Sequence, residues 1–176
     1  MKKYILLTGL ALLVIGIAGC GITTGQFTIV FDIDGIASTD EAVNMQMVDL
    51  NEEEVYQDHQ DNLRDVESVA IVAIITNNSN LPASGEVWVS TNDSYTTAEE
   101  ITSADDAKRI FSSPAIPAGE DLMINWEDSY AHMENVDYLE DLIINGGTFT
   151  VYGLADETPF DVYIDAEIVI TFTAGL

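Results

Sequence analysis

Apolar side chains occupy every second position near the end of the chain: Phe160, Val162, Ile164, Ala166, Ile168, Ile170 and Phe172. Asp161, Tyr163, Asp165, Glu167 and Thr171 stand between them. Successive side chains of a strand point to opposite faces, so this spacing predicts a long strand with one face in a core and the other in water. A half-wet strand of that kind belongs in an antiparallel sheet, which can leave one face solvated.

The same period recurs upstream. Phe27, Ile29, Phe31 and Ile33 share a face opposite Thr28, Asp32 and Asp34, and Met45 and Met47 suggest a short second strand. Val69 to Thr76 is apolar on both faces, as a central strand would be. Val87 and Val89 alternate with Glu86, Trp88 and Ser90; Leu122, Ile124 and Trp126 alternate with Met123 and Asn125; Phe149 and Val151 alternate with Thr148, Thr150 and Tyr152. Two stretches read as helices. One runs from about Glu52 to Asp65, with Asn51 as N-cap and Glu54 three residues on. The other runs from about Met133 to Ile144 and ends at Gly146-Gly147. About seven strands separated by turn signals predict a mainly β chain: an antiparallel β-sandwich, immunoglobulin-like or similar, with two short accessory helices.

The beginning of the chain has a different character. Met1-Lys2-Lys3 precedes an apolar run from Tyr4 to Ile17, which is short of the roughly 20 residues a membrane-spanning helix needs. Small residues follow, then Cys20, the single cysteine. Charge, a short apolar segment and small residues are the layout of a secretory signal. Ile17-Ala18-Gly19-Cys20 resembles the lipobox of bacterial lipoproteins. That resemblance implies cleavage between Gly19 and Cys20, and diacylglyceryl and acyl (palmitate-type) chains on Cys20. Several chains anchor stably where one would be marginal. The expected organisation is a removed signal over residues 1–19, a lipidated Cys20 with a short tether over residues 20–26, and one acidic domain over residues 27–176. The expected location is the extracytoplasmic side of a bacterial membrane, inner or outer.

Once Lys2 and Lys3 leave with the signal, 31 acidic side chains face three basic ones, Arg64, Lys108 and Arg109. Nucleic acid and bare anionic lipid repel such a body. Its apolar and β-branched content separates it from acidic disordered chains, so the charge forms a shell around a core. High salt would favour that shell, because at 1 M the screening length is only about 3 Å. A surface that gathers divalent cations is a second explanation, and an acidic protein with no special reason for its charge is a third. A lone cysteine leaves no internal disulfide to support the fold.

From Val69 onward the order of features resembles another family. An apolar strand leads into Thr76-Asn77-Asn78, then a hairpin to Ser84-Gly85-Glu86-Val87; Ile116-Pro117-Ala118-Gly119 introduces the next strand; Gly147-Thr148-Phe149-Thr150-Val151-Tyr152-Gly153 follows a helix. This is similar to the β-sandwich late-embryogenesis-abundant, or water-stress (WHy), type. Residues 69–176 carry the likeness, although Asn77-Asn78-Ser79 lacks the family's turn proline. The resemblance implies a non-enzymatic sandwich with no catalytic residues.

Asp32-Ile33-Asp34-Gly35 fails as an EF-hand loop, because its glycine falls at position 4 where position 6 is required. Asp93, Asp105 and Asp106, with Glu99 and Glu100 nearby, are candidate calcium ligands in one polar connection. His59 and His132 are the only histidines and lack the spacing of a zinc motif. Gly-x-Ser-x-Gly and the phosphate-binding glycine loops are missing from the sequence. Trp88, Tyr152 and Tyr163 fall on outward faces, where they either form an interaction surface or pack beneath a helix. The leading expectation is a membrane-anchored, non-catalytic protein with a structural or interaction role and an unidentified partner. The alternative is a module that binds a cation or a small hydrophobic ligand, and a hydrolase without a recognisable motif comes third.

Overall fold

A computed structural model of the chain describes residues 24–38, 43–155 and 161–175. Among these residues eight strands form two four-stranded antiparallel sheets. They are β1 (Thr24–Ser38), β2 (Val43–Asp49), β3 (Leu63–Asn77), β4 (Gly85–Ser90), β5 (Ala107–Ser112), β6 (Asp121–Ile124), β7 (Thr148–Ala155) and β8 (Asp161–Gly175). One sheet has the order β1-β8-β3-β6 and the other β2-β7-β4-β5. First pairs with last, second with seventh, third with sixth, and fourth with fifth. That is one long hairpin, bent at the β4–β5 connection and rolled up so that β8 also meets β3 and β7 also meets β4. The result is a jelly roll, one of the two-sheet solutions to the problem of exposed strand edges.

The expected sandwich is present, and the strand order refines it from an immunoglobulin-like to a jelly-roll arrangement. The eighth strand is β5, whose Lys108 and Arg109 interrupt the apolar pattern that would have marked it. Inward residues of both sheets, among them Ile29, Val69, Ile71, Val89, Phe149, Val151, Ile168, Ile170 and Phe172, make one core. In β8 the observed burial follows the alternation read from the sequence. Phe160, at its start, lies outside the described residues. Val69–Thr76 sits between β8 and β6, as a strand apolar on both faces should.

Among the described residues four α-helices decorate the sheets: α1 (Glu54–His59), α2 (Ala98–Ser103), α3 (Trp126–His132) and α4 (Val136–Asn145). The helix expected over 52–65 stops at His59. From Leu63 onward the chain pairs with β8 instead, because the long β8 offers partners as far as Ala174. Asn51 does not cap α1. Asp49 caps a 3-10 turn over Leu50–Glu52, and Asn51 donates through Nδ2 to Asp49, Gly146 and Thr148. Trp126 begins α3 rather than ending a strand, since Asn125 caps that helix by accepting from the Asp128 N–H. The Ser129 hydroxyl of α3 then accepts from the Ile71 N–H, a position on β3 that the four-residue β6 is too short to cover.

Helix α4 begins three residues later than expected and ends at Gly146-Gly147 as read from the sequence. Gly147 has φ +67°, and a Cβ there would lie 2.7 Å from the Tyr56 hydroxyl. That closeness lets Tyr56, buried on α1, donate to the Ile143 carbonyl at 2.6 Å. Leu139 and Ile143 complete the burial of α4 against the core.

Candidate functional site: an apolar cavity between the sheets

The inward pattern that builds the core also leaves a gap in it. Ala73 on β3 stands directly opposite Ala166 on β8, so two adjacent positions on one wall carry only a methyl group each. On the facing sheet, Gly153 of β7 has no side chain at all, and a Cβ there would meet only Asn44 at 3.7 Å. Between these short residues lies a cavity of about 290 Å³. Ile71, Ile75, Ile164 and Ile168 frame the alanines, while Val87, Phe111 and Val151 close the opposite side. Beyond Gln46 and Ile168, a second cavity of about 180 Å³ continues toward Phe31 and Leu139.

The mouth of the larger cavity lies at the edge strand β2. Asn44 and Gln46 line it, and both are exposed. Ser84, just before β4, and Gly85 and Glu86, at its start, also line the cavity. Glu86 is the one charged residue among the described lining residues, and its carboxylate turns to the outer face of the sheet, the face that Trp88 occupies. One oxygen accepts from the Trp88 indole at 2.8 Å and the other from Arg109, which also binds Glu134. Hydrogen bonds to Glu134 and then Glu86 hold the Arg109 guanidinium well above its ordinary pKa. A dry apolar cavity can be entered by small apolar molecules; cavities of about 150 Å³ in other proteins take up benzene or xenon. This one lies near the lower end, about 300 Å³, of the range usual for small-molecule sites.

The residues singled out from sequence fall elsewhere. Tyr152 is fully buried and offers no surface, while Trp88 is half-buried. Both point away from the sandwich, as the alternation requires, but α2 and the segment before it cover them. Ile101, Ala107 and Leu154 join Tyr152 in a satellite core against which Trp88 and Tyr95 pack. The Tyr152 hydroxyl donates to the Asn92 carbonyl at 2.6 Å. The covering helix is α2, not the two helices expected from sequence. Tyr163 alone of the three is exposed.

The candidate calcium ligands do not converge. Among the described residues, no group of three or more His, Cys, Asp and Glu side chains is placed to hold a metal ion. Asp106 accepts from the Tyr95 hydroxyl at 2.6 Å and from Ser90 at 3.1 Å. Those bonds, Tyr95 first, lower its pKa. Glu100 turns back to accept from the Thr96 and Thr97 N–H groups, closing the capping box of α2, and its pKa is lowered by these contacts. Asp93 and Asp105 are exposed. His59 packs on Phe27 with ring centroids 3.7 Å apart, and His132 lies 6.0 Å from Phe111. Gly19, Cys20 and the rest of the signal lie outside the described residues. Thr24, Gly25 and Gln26, expected as tether, are already strand, because β8 pairs with them out to Gly175.

No protein-family model matches the chain, and no curated protein matches it. Solved structures of virus particles are similar in chain trace. That of Desmodium yellow mottle tymovirus has 12% identity and a TM-score of 0.39, covering 89% of this chain and 91% of its own. Turnip yellow mosaic virus gives 12% and 0.37, with 89% and 84% covered. The VP2 subviral particle of infectious bursal disease virus gives 7% and 0.37, with 84% and 32% covered. Nothing about function follows from likenesses at this level.

Proposed function

We propose that this chain is a non-catalytic binding module, tethered through lipidated Cys20 to the extracytoplasmic face of a bacterial membrane, which takes a small apolar ligand into its inter-sheet cavity. The cavity carries this reading. A core of this size could be filled by larger side chains at positions 73, 153 and 166, and each methylene left out forgoes about 0.8 kcal/mol of burial. Between a purely structural sandwich and a ligand-binding one, such a void favours binding. The lipobox-like sequence supports the tether. With β1 starting at Thr24, Gly21–Thr23 span at most about 11 Å, which keeps the body close to the headgroups.

Two measurements test the reading. An apolar probe such as cyclohexane should raise the thermal midpoint of the wild type, because a ligand that binds only the native state stabilises it by mass action. Ala166→Leu, which fills the gap, should fold and lose that shift. A wild type indifferent to the probe, or a shift that survives in Ala166→Leu, refutes the cavity as the binding site. Labelled palmitate should enter the wild type and not Cys20→Ser; equal labelling of both would refute the anchor.

A further inference from the structure

The mouth of the cavity also selects the ligand's head. Resting on the proposed cavity site, we infer that its ligand is a single-chain amphiphile with an uncharged head, an alkyl alcohol or amide, and not a fatty-acid anion. Three observations lead there. The walls are apolar and the volume of about 290 Å³ admits one short chain. The polar groups at the rim, the amides of Asn44 and Gln46, are neutral side chains that can each donate and accept. No described lining residue is cationic, and the Arg109 guanidinium serves Glu86 and Glu134 on the outer face.

A carboxylate brought to this rim would lose water without gaining a cation, and a buried or half-buried charge without a partner is costly. It would also meet the field of a body in which, once Lys2 and Lys3 have left, acids outnumber bases about tenfold. An uncharged hydroxyl loses less water and finds donors and acceptors on the two amides. An ammonium head would be drawn by the general field of the shell, but among the described rim residues it finds no carboxylate, since that of Glu86 turns to the outer face toward Trp88 and Arg109.

The experiment uses the full-length chain in lipid nanodiscs with labelled isoleucine methyls. Ile71 and Ile164, on the cavity wall, are the reporters. Octanol, octanoate and octyltrimethylammonium are titrated at measured free concentrations, in 0.15 M and 2 M NaCl. Octanol should shift both methyls at least tenfold more tightly than octanoate, and the ratio should persist at 2 M, where the general field is screened within about 3 Å. Octanol should also outbind the ammonium at 2 M. Gln46→Ala and Asn44→Ala, both on the exposed edge strand, should weaken octanol and leave octane unchanged. Equal binding of octanol and octanoate, a ratio that vanishes at 2 M, or a preferred ammonium at 2 M overturns the head-group inference and leaves the cavity reading standing. Failure of octane and octanol alike to move either methyl overturns both.

Discussion

Asn77 ends β3 with no exposed surface, and its amide ties three segments together. Nδ2 donates toward the carbonyls of Leu81 at 2.8 Å, Ile116 at 2.9 Å and Pro117 at 3.2 Å. Oδ1 accepts from the Ser79 N–H at 3.0 Å and the Ser79 hydroxyl at 2.6 Å. Replacement by alanine removes all of these. Groups beside exposed Leu81 can turn to water, while the carbonyl of buried Ile116 keeps only the Ala83 N–H as its donor. A net hydrogen bond is worth about 1 kcal/mol, and the five contacts share one amide, so they count as roughly two to four bonds. Asn77→Ala should therefore cost about 2–4 kcal/mol. At about 2–4 °C per kcal/mol for a chain of this size, the thermal midpoint should fall by roughly 5–15 °C.

Asn77→Asp makes a sharper test. It keeps an acceptor for Ser79 but sets a second carboxylate oxygen against carbonyl oxygens in a buried place, so its folded pKa is raised above the usual value of about 3.9. A raised carboxyl pKa stabilises most below the unfolded value, and that contribution is lost as pH rises through the folded one. The aspartate variant should be the less stable of the two at pH 7. The order should reverse at about pH 4, where the protonated acid can donate to Ile116. Urea unfolding at both pH values reads this directly. A loss under 0.5 kcal/mol in Asn77→Ala, or an unchanged order of the two variants between the pH values, would show that this amide does not hold the three segments.

Further outcomes follow from other contacts. Tyr56→Phe removes the bond to Ile143 and should lower unfolding free energy by about 1–2 kcal/mol, while Gly147→Ala, strained at positive φ and pressed against the same hydroxyl, should cost more; urea titration ranks them, and an alanine variant as stable as the phenylalanine one would contradict the close approach. Gly153→Ala adds a methyl in ordinary contact with Asn44, at a backbone without positive φ, so it should be neutral or stabilise by up to about 1 kcal/mol; a clear loss in a melting curve would mean the cavity is not where the backbone places it. The lowered pKa of Asp106 gives stability that is complete above the ordinary carboxylate range and drains away as pH falls through the folded value. Asp106→Asn should flatten that acid limb between pH 5 and 3, and an unaltered pH profile would contradict it. If salt tolerance explains the acidic shell, the midpoint should be higher in 2 M than in 20 mM NaCl, and equal midpoints would count against it.

Period-two alternation carries the faces of strands but not their neighbours, and that divides what could be read beforehand from what could not. In β8 both the strand and its buried face were legible, because one rule holds from Val162 to Ala174. Helix α2 was missed although its signal was present: Thr97-Ala98-Glu99-Glu100 has the spacing of a capping box, overshadowed by the carboxylates that suggested a cation loop. The overlong first helix shows propensity yielding to a partner strand remote in sequence. Ala73, Gly153 and Ala166 could each be seen as small inward residues, yet nothing in their separation says that they share one space. Rolling the hairpin brings them together, so the cavity belongs to the topology rather than to any segment.

The pairing of Thr24 with Gly175 also determines how the molecule bears load. The two strand ends lie side by side, at one end of a fifteen-pair ladder. Tension between an N-terminal membrane attachment and anything gripping the C-terminal end would open the ladder like a zipper, one pair at a time and at low force. Tension between the same attachment and a grip on the far end of β8, near Asp161, would load all fifteen pairs in shear. The direction in which a partner pulls, more than how tightly it holds, would decide whether the sandwich survives the pull.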